Sequence, residues 1–219
     1  MDRITDAFVW PVRDPAWLTK LLIISLTLLI PVVGAINAIG WMLASLDLLR
    51  AGDERLAPAH LGYLGRGIRL FAVNLVYSLA IGLVVAVIYV AAVWMASRES
   101  QGAASAGLIS AAIALSLLAF SFATLGSLVL NFLTPSIVLA TDRGGIAGGL
   151  SVGSVLRHAR ANLADTLIAG LMLIAAGFIG SLGLIACGIG VLFTTAYALA
   201  MQAWVVRSFE IGSPAAKAT

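Results

Sequence analysis

Chemistry-bearing residues are scarce in this chain. It has one cysteine, Cys187, which excludes an internal disulfide and any cysteine-based metal framework. Its two histidines, His60 and His158, lie nearly a hundred positions apart, where a metal site needs ligands clustered at usable spacing. No GxSxG, HExxH or Walker-type loop occurs. The Gly144-Gly145-x-x-Gly148-Gly149 stretch follows no strand and lacks a Lys-Ser/Thr end, so it reads as a hinge. Charged residues make up only 11%, against roughly 25% in an average soluble domain. The residues thus point to no catalytic group, no cofactor and no metal ligand, and the chain is expected not to be an enzyme.

Hydrophobic residues make up 61% of the chain, and they are gathered in runs. Leu21 to Leu46, Leu70 to Ser97, Ser100 to Thr141 and Thr166 to Val206 contain no Asp, Glu, Lys or Arg. Charge-free apolar runs of about 18 residues or more mark helices that cross lipid. The expected class is therefore all-α, a polytopic integral membrane bundle. A net charge of +3 with a pI near 9.4 does not imply nucleic acid, because the charges sit at the ends of the runs. The first twenty residues carry Asp2, Asp6 and Asp14, and Trp10-Pro11 stands where a signal peptide would have a basic stretch, so they are not expected to be cleaved.

The charge-free runs set the organisation. Thr166 to Val206, at 41 residues, needs two helices, with a turn among Gly180, Gly183, Gly188 and Gly190. Leu18 to Leu49 is interrupted at Pro31, Gly34 and Asn37 and also fits two helices. Arms of about 13 to 16 residues are short enough for that hairpin to be re-entrant. One membrane domain over 1–219 is expected. It comprises an interfacial segment at 1–17, a hairpin at 18–50, spans at 66–97 and 107–140, an interfacial helix at 147–161, a hairpin at 163–208 and a polar tail at 209–219. In the opening segment Asp14-Pro15 reads as N-cap and first helical residue, with Phe8, Val9, Trp10 and Trp17 at headgroup depth and Arg13 and Lys20 reaching phosphates.

With both segments folded as hairpins, 12 of the 13 basic residues fall on one side, and only Arg98 on the other. As single crossings they would put the Arg50, Arg55, Arg66 and Arg69 loop outside. The excess of Lys and Arg in short cytoplasmic loops favours the hairpins, hence six membrane helices with both termini in the cytoplasm. A weak parallel repeat agrees with this: Pro31 to Arg50 can be laid on Cys187 to Val206, matching Gly34 with Gly190, Leu43 with Leu199 and Ala44 with Ala200.

The run from Ala7 to Leu22, containing Trp10-Pro11, Asp14-Pro15-Ala16-Trp17 and Lys20-Leu21-Leu22, resembles the opening of a prokaryotic family of polytopic membrane proteins. That family is known only as a domain of unknown function, number four thousand and thirteen. Its Leu-Ile-Pro-x-x-Gly break is matched by Leu29, Ile30, Pro31 and Gly34. Its small-aromatic pair is matched by Gly40-Trp41, and its basic-glycine turn by Arg50-Ala51-Gly52. Val12 replaces the usual aromatic, and Asp53 to Pro58 follows the acidic-Leu-Pro segment loosely. The resemblance lies mainly in residues 7–58 and implies a fold and no chemistry. Trp10, Pro11, Asp14, Pro15, Trp17, Pro31 and Gly34 are its marker residues.

No ionisable side chain lies in the body of a run, whereas coupled ion transport needs one. Asp47, near a helix end, is placed to pair with Arg50. Small residues at four-residue spacing, Ala119/Ala123, Ala176/Gly180 and Gly177/Ser181, permit close helix approach. The expected role is a non-enzymatic accessory or scaffold subunit of the bacterial inner membrane. Its expected partners are membrane lipids and other membrane proteins or further copies of itself, with no nucleic acid. The alternative is a carrier or channel for a neutral or lipid-like solute, its path lined by Asn37, Asn74, Thr194 and Gln202.

Overall fold

The computed structural model describes residues 3–99, 106–161, 163–184 and 190–212. Among them every regular element is helical, with no strand. The helices are α1 (Arg3–Arg13), α2 (Trp17–Leu28), α3 (Val33–Arg50), α4 (Leu64–Glu99), α5 (Ala106–Leu150), α6 (Val152–Ala161), α7 (Leu163–Leu182) and α8 (Gly190–Gly212). A single 3-10 turn, Leu61–Tyr63, precedes α4. This is the all-α membrane-type bundle expected from composition. Among the described residues four stretches are long and apolar enough to cross a bilayer: Val33–Arg50, Leu61–Ser97, Gly107–Leu150 and Leu163–Leu182. At 12 residues, α2 is about 18 Å long, short of a ~30 Å hydrocarbon core.

Two compact units divide the chain. The first holds residues 1–73 and 131–219 and contains the site described below. Its centre is α8, against which α1, α2, α3 and α7 all pack. Small residues make this possible: Ala196, Ala200 and Ala203 recur on one face and are completely buried. The α7–α8 hairpin closes with the Thr194 hydroxyl donating to Gly180 O at 2.6 Å, and an added Cβ at Gly180 would lie 3.7 Å from Ala198 Cβ. The break at Leu29–Val32 separates α2 from α3, which pack against each other. Val32 takes φ +64°, a costly conformation for a β-branched residue. Gly34 then passes so close to the Thr27 carbonyl that no side chain fits. Helices α3 and α8, which carry most of the segments aligned by the repeat, pack on each other.

The hinge expected at Gly144 to Gly149 lies at Gly145, where φ +62° and ψ −156° break α5. Pro135 lies inside the same helix. The second unit is Asn74–Leu130, in which α4 and α5 run antiparallel. An added Cβ at Gly126 would meet Ile81, and Ala92 and Ala112 line one groove further along. Only 6% of the most apolar stretch of α4, and likewise of α5, is covered by protein. Cys187 and most of the linker after α4 lie outside the described residues.

Candidate functional site

The polar groups of the first unit gather in two places, and the first is a clamp on the loop between α3 and the 3-10 turn. Helix α3 ends in a complete Schellman motif: Asp53 N–H donates to Leu48 O at 2.9 Å and Gly52 N–H to Leu49 O at 3.2 Å, with Gly52 at φ +82°. The Arg50-Ala51-Gly52 turn therefore aims the chain back along α3. One polar stripe at four-residue spacing then receives it. Asn37 donates to His60 O at 3.0 Å and accepts from Tyr63 N at 3.2 Å. Trp41 Nε1 donates to Ala57 O at 3.0 Å, and Ser45 Oγ accepts from Ala57 N at 3.2 Å.

On the other side Asp14 and Lys20 hold Leu56. The Asp14 carboxylate accepts from Leu56 N at 2.9 Å and from Ala16 N at 2.8 Å. Lys20 donates to Asp14 at 2.7 Å and to Leu56 O at 2.6 Å. Arg13 joins Asp6 to Glu54, the latter at 2.8 Å. This corrects two expectations for the opening segment. Asp14 is not the N-cap of α2, which starts at Trp17 with Ala16 uncapped by a side chain: Oδ1 closes only the turn before the helix, at Ala16 N, and Oδ2 serves Lys20 and Leu56. Trp10 does not offer its ring to lipid headgroups: it is fully buried within the protein, stacked on Trp204 with ring centroids 5.9 Å apart. Of the other marker residues, Pro11 is buried inside α1, Pro15 and Pro31 are exposed, and Trp17 approaches Phe193 at 6.4 Å. Trp41 and Ser45 were overlooked as loop anchors; their spacing from Asn37 was the available signal.

Burial alone would push the Asp14 carboxyl up. Lys20 and the two backbone N–H groups outweigh it and hold it below the usual carboxylate range. Its folded value thus lies below the unfolded one of about 3.9. The unfolded chain therefore binds the extra proton, and this contribution to stability is complete above about pH 5 and lost as pH falls through the folded value. Asp14→Ala also strands Lys20 and the buried Leu56 N–H. It is expected to cost roughly 3 kcal/mol at pH 7 and markedly less near pH 3, read from melting temperatures in detergent.

The second place is an ion-pair network at the ends of four helices. Arg50 from α3 is its hub, bonded to Asp47 at 3.2 Å, Asp142 at 2.6 Å and Glu210 at 2.9 Å. Arg66 from α4 pairs with Asp47 and, at 3.3 Å, with Asp142. Arg143 and Arg207 reach Glu210 at 3.2 and 3.3 Å. The pairing of Asp47 with Arg50 follows helical spacing, whereas Asp142 and Glu210 come from 92 and 160 positions away. The arrangement neutralises charge and ties helix ends together. Among the described residues no group of three or more His, Cys, Asp and Glu is placed to hold a metal. Two residues of the suggested solute path have their hydrogen bonds taken: Asn37 is fully buried on the loop, and Thr194 bonds the Gly180 carbonyl.

A family model described as "Protein of unknown function (DUF4013)" matches residues 23–189. The match starts after the Trp10 to Lys20 motif and continues well past residue 58, through the apolar helices. No curated protein matches the chain, nor does any solved structure.

Proposed function

Since the chain belongs to the DUF4013 family of proteins of unknown function, which brings a fold and no assigned chemistry, we propose that it is a non-enzymatic scaffold of the inner membrane. The observation that carries this is a division of labour within the molecule. The charged side chains of the network, on α3, α4, α5 and α8, are spent on one another, while long apolar helix faces stay uncovered. Lipid covers such faces, and so do other membrane helices. The small-residue step Ala176/Gly180 faces inward, with Ala176 buried and Gly180 against α8, but Gly177 and Ser181 are exposed. An added Cβ at Gly177 meets nothing within 4 Å, so a neighbouring backbone can approach there.

The network supports one membrane orientation. Arg50, Arg66, Arg143 and Arg207 come from four helices yet share carboxylate partners, so they lie at one depth. That depth is the cytoplasmic side by the bias of basic residues, and each hairpin returns to the face it left. In a Cys187→Ser background, an impermeant maleimide added to intact cells is expected to label Ala103→Cys and to spare Gly65→Cys. The opposite pattern rejects the orientation. For the role itself, mild-detergent extraction is expected to bring down another membrane protein or a second copy, and Gly177→Leu to release it without loss of fold. A monodisperse monomer from native membranes, with nothing attached, counts against a scaffold.

A further inference from the structure

A cavity of about 310 Å³ lies where the bent end of α5 meets α6. Its lining includes Ser136, Arg143, Gly144, Gly148, Ser154 and His158, with no carboxylate among the lining residues. Three features make it more than a packing fault. Ser136 is 1% exposed, and its hydroxyl is buried without a hydrogen-bond partner. An unmade bond of that kind is costly, and a ligand atom in the cavity would make it. Arg143 is held by one nitrogen on Glu210 at 3.2 Å, which orients the guanidinium and leaves other N–H groups to donate. Gly144, in the lining, has nothing within 4 Å of an added Cβ, and the positive φ of the next residue, Gly145, breaks α5 beside the cavity.

The donors have one common preference. A guanidinium, an imidazole and one free hydroxyl share the lining, and among the described residues the only acid bonded to them is Glu210, which takes one nitrogen of Arg143 from outside the wall; this is the chemistry of an oxyanion site. Ser154 donates its hydroxyl hydrogen to Ser151 O at 2.8 Å and is not counted among the donors. Arg157 and Arg160, exposed on the same short helix as His158, raise the positive potential around the opening. We propose that this cavity binds a phosphate group, presented by the headgroup of an anionic lipid. Basic residues at the ends of apolar helices lie at headgroup depth, where such phosphates are concentrated. The site is independent of the scaffold reading: a carrier would need it equally.

The test is binding of three probes to the purified full chain in detergent: short-chain phosphatidylglycerol, short-chain phosphatidylcholine and inorganic phosphate. Phosphatidylglycerol is expected to bind more tightly than phosphatidylcholine. Arg143→Gln is expected to weaken it by roughly tenfold, and His158→Gln and Ser136→Ala by roughly threefold each. Arg143 also serves the ion-pair network, so the Ser136 and His158 variants, which lie outside it, decide the matter. Competition by inorganic phosphate at equal concentration would assign the site to the free anion, and no competition would assign it to the lipid. Equal affinity for phosphatidylglycerol in the parent and in both of these variants would overturn the proposal.

Discussion

Arg50→Met is expected to lower the apparent melting temperature in detergent by roughly 10 °C, from a loss of about 3 to 5 kcal/mol. Methionine fills much of the same space, so the effect isolates the charge. Without the guanidinium, Asp142 and Glu210 lose the cation that bridges them at 2.6 and 2.9 Å. Arg66 still covers Asp47 and Asp142, and Arg143 and Arg207 still cover Glu210, which keeps the loss finite. Arg50→Lys is expected to recover less than half of it. An ammonium is a point charge that cannot reproduce the forked donation from Nε and Nη2 to the two oxygens of Glu210. Melting temperatures at one fixed scan rate provide the comparison, because membrane proteins often unfold irreversibly. An unchanged value for Arg50→Met would mean that the network is not holding the helix ends.

Gly67→Ala is expected to have a comparable or larger effect, although it adds a single methyl. The start of α4 passes α3 at Gly67 and Gly40. A Cβ on Gly67 would overlap the Ile36 carbonyl oxygen and lie 2.8 Å from Gly40 N. These are backbone atoms within a helix and cannot rotate away. An overpacked core usually loses about 1 to 3 kcal/mol, and a rigid backbone contact belongs at the upper end or beyond. Displacing α4 would also pull Tyr63 from Asn37 and Arg66 from Asp47, loosening clamp and network together. Gly65→Ala, two residues earlier with nothing within 4 Å, is the matched control and should cost nothing measurable. Equal stability of the two variants would show that the crossing is looser than described.

Sequence periodicity and punctuation revealed much of the site's framework and little of its wiring. The hairpin break at Pro31 and Gly34, the glycine turn after Arg50 and the hinge at Gly145 were legible because each is a local backbone event. Asp47 and Arg50 were legible as a pair because they are one helical turn apart. Trp10 was misplaced because an aromatic near a helix end serves equally at a headgroup or in a core, and only the presence of Trp204 decides between them. The same holds for Asp14, whose neighbours predict a helix cap, while its actual partner Leu56 lies 42 positions on.

Composition alone marked these helices as long and apolar enough for lipid, where a backbone without water must satisfy its own hydrogen bonds, as a helix does. It also determined where the polar groups would lie along each run. The meeting of Arg50 with Glu210 across 160 positions, the choice of α8 as the central helix, and the unpaired Ser136 hydroxyl in a residue that lines one cavity with Arg143 were decided only in three dimensions. Hydrophobicity places a residue at a depth in the membrane but not beside a partner. That second choice depends on which small side chains let two helices approach, and it is made by packing.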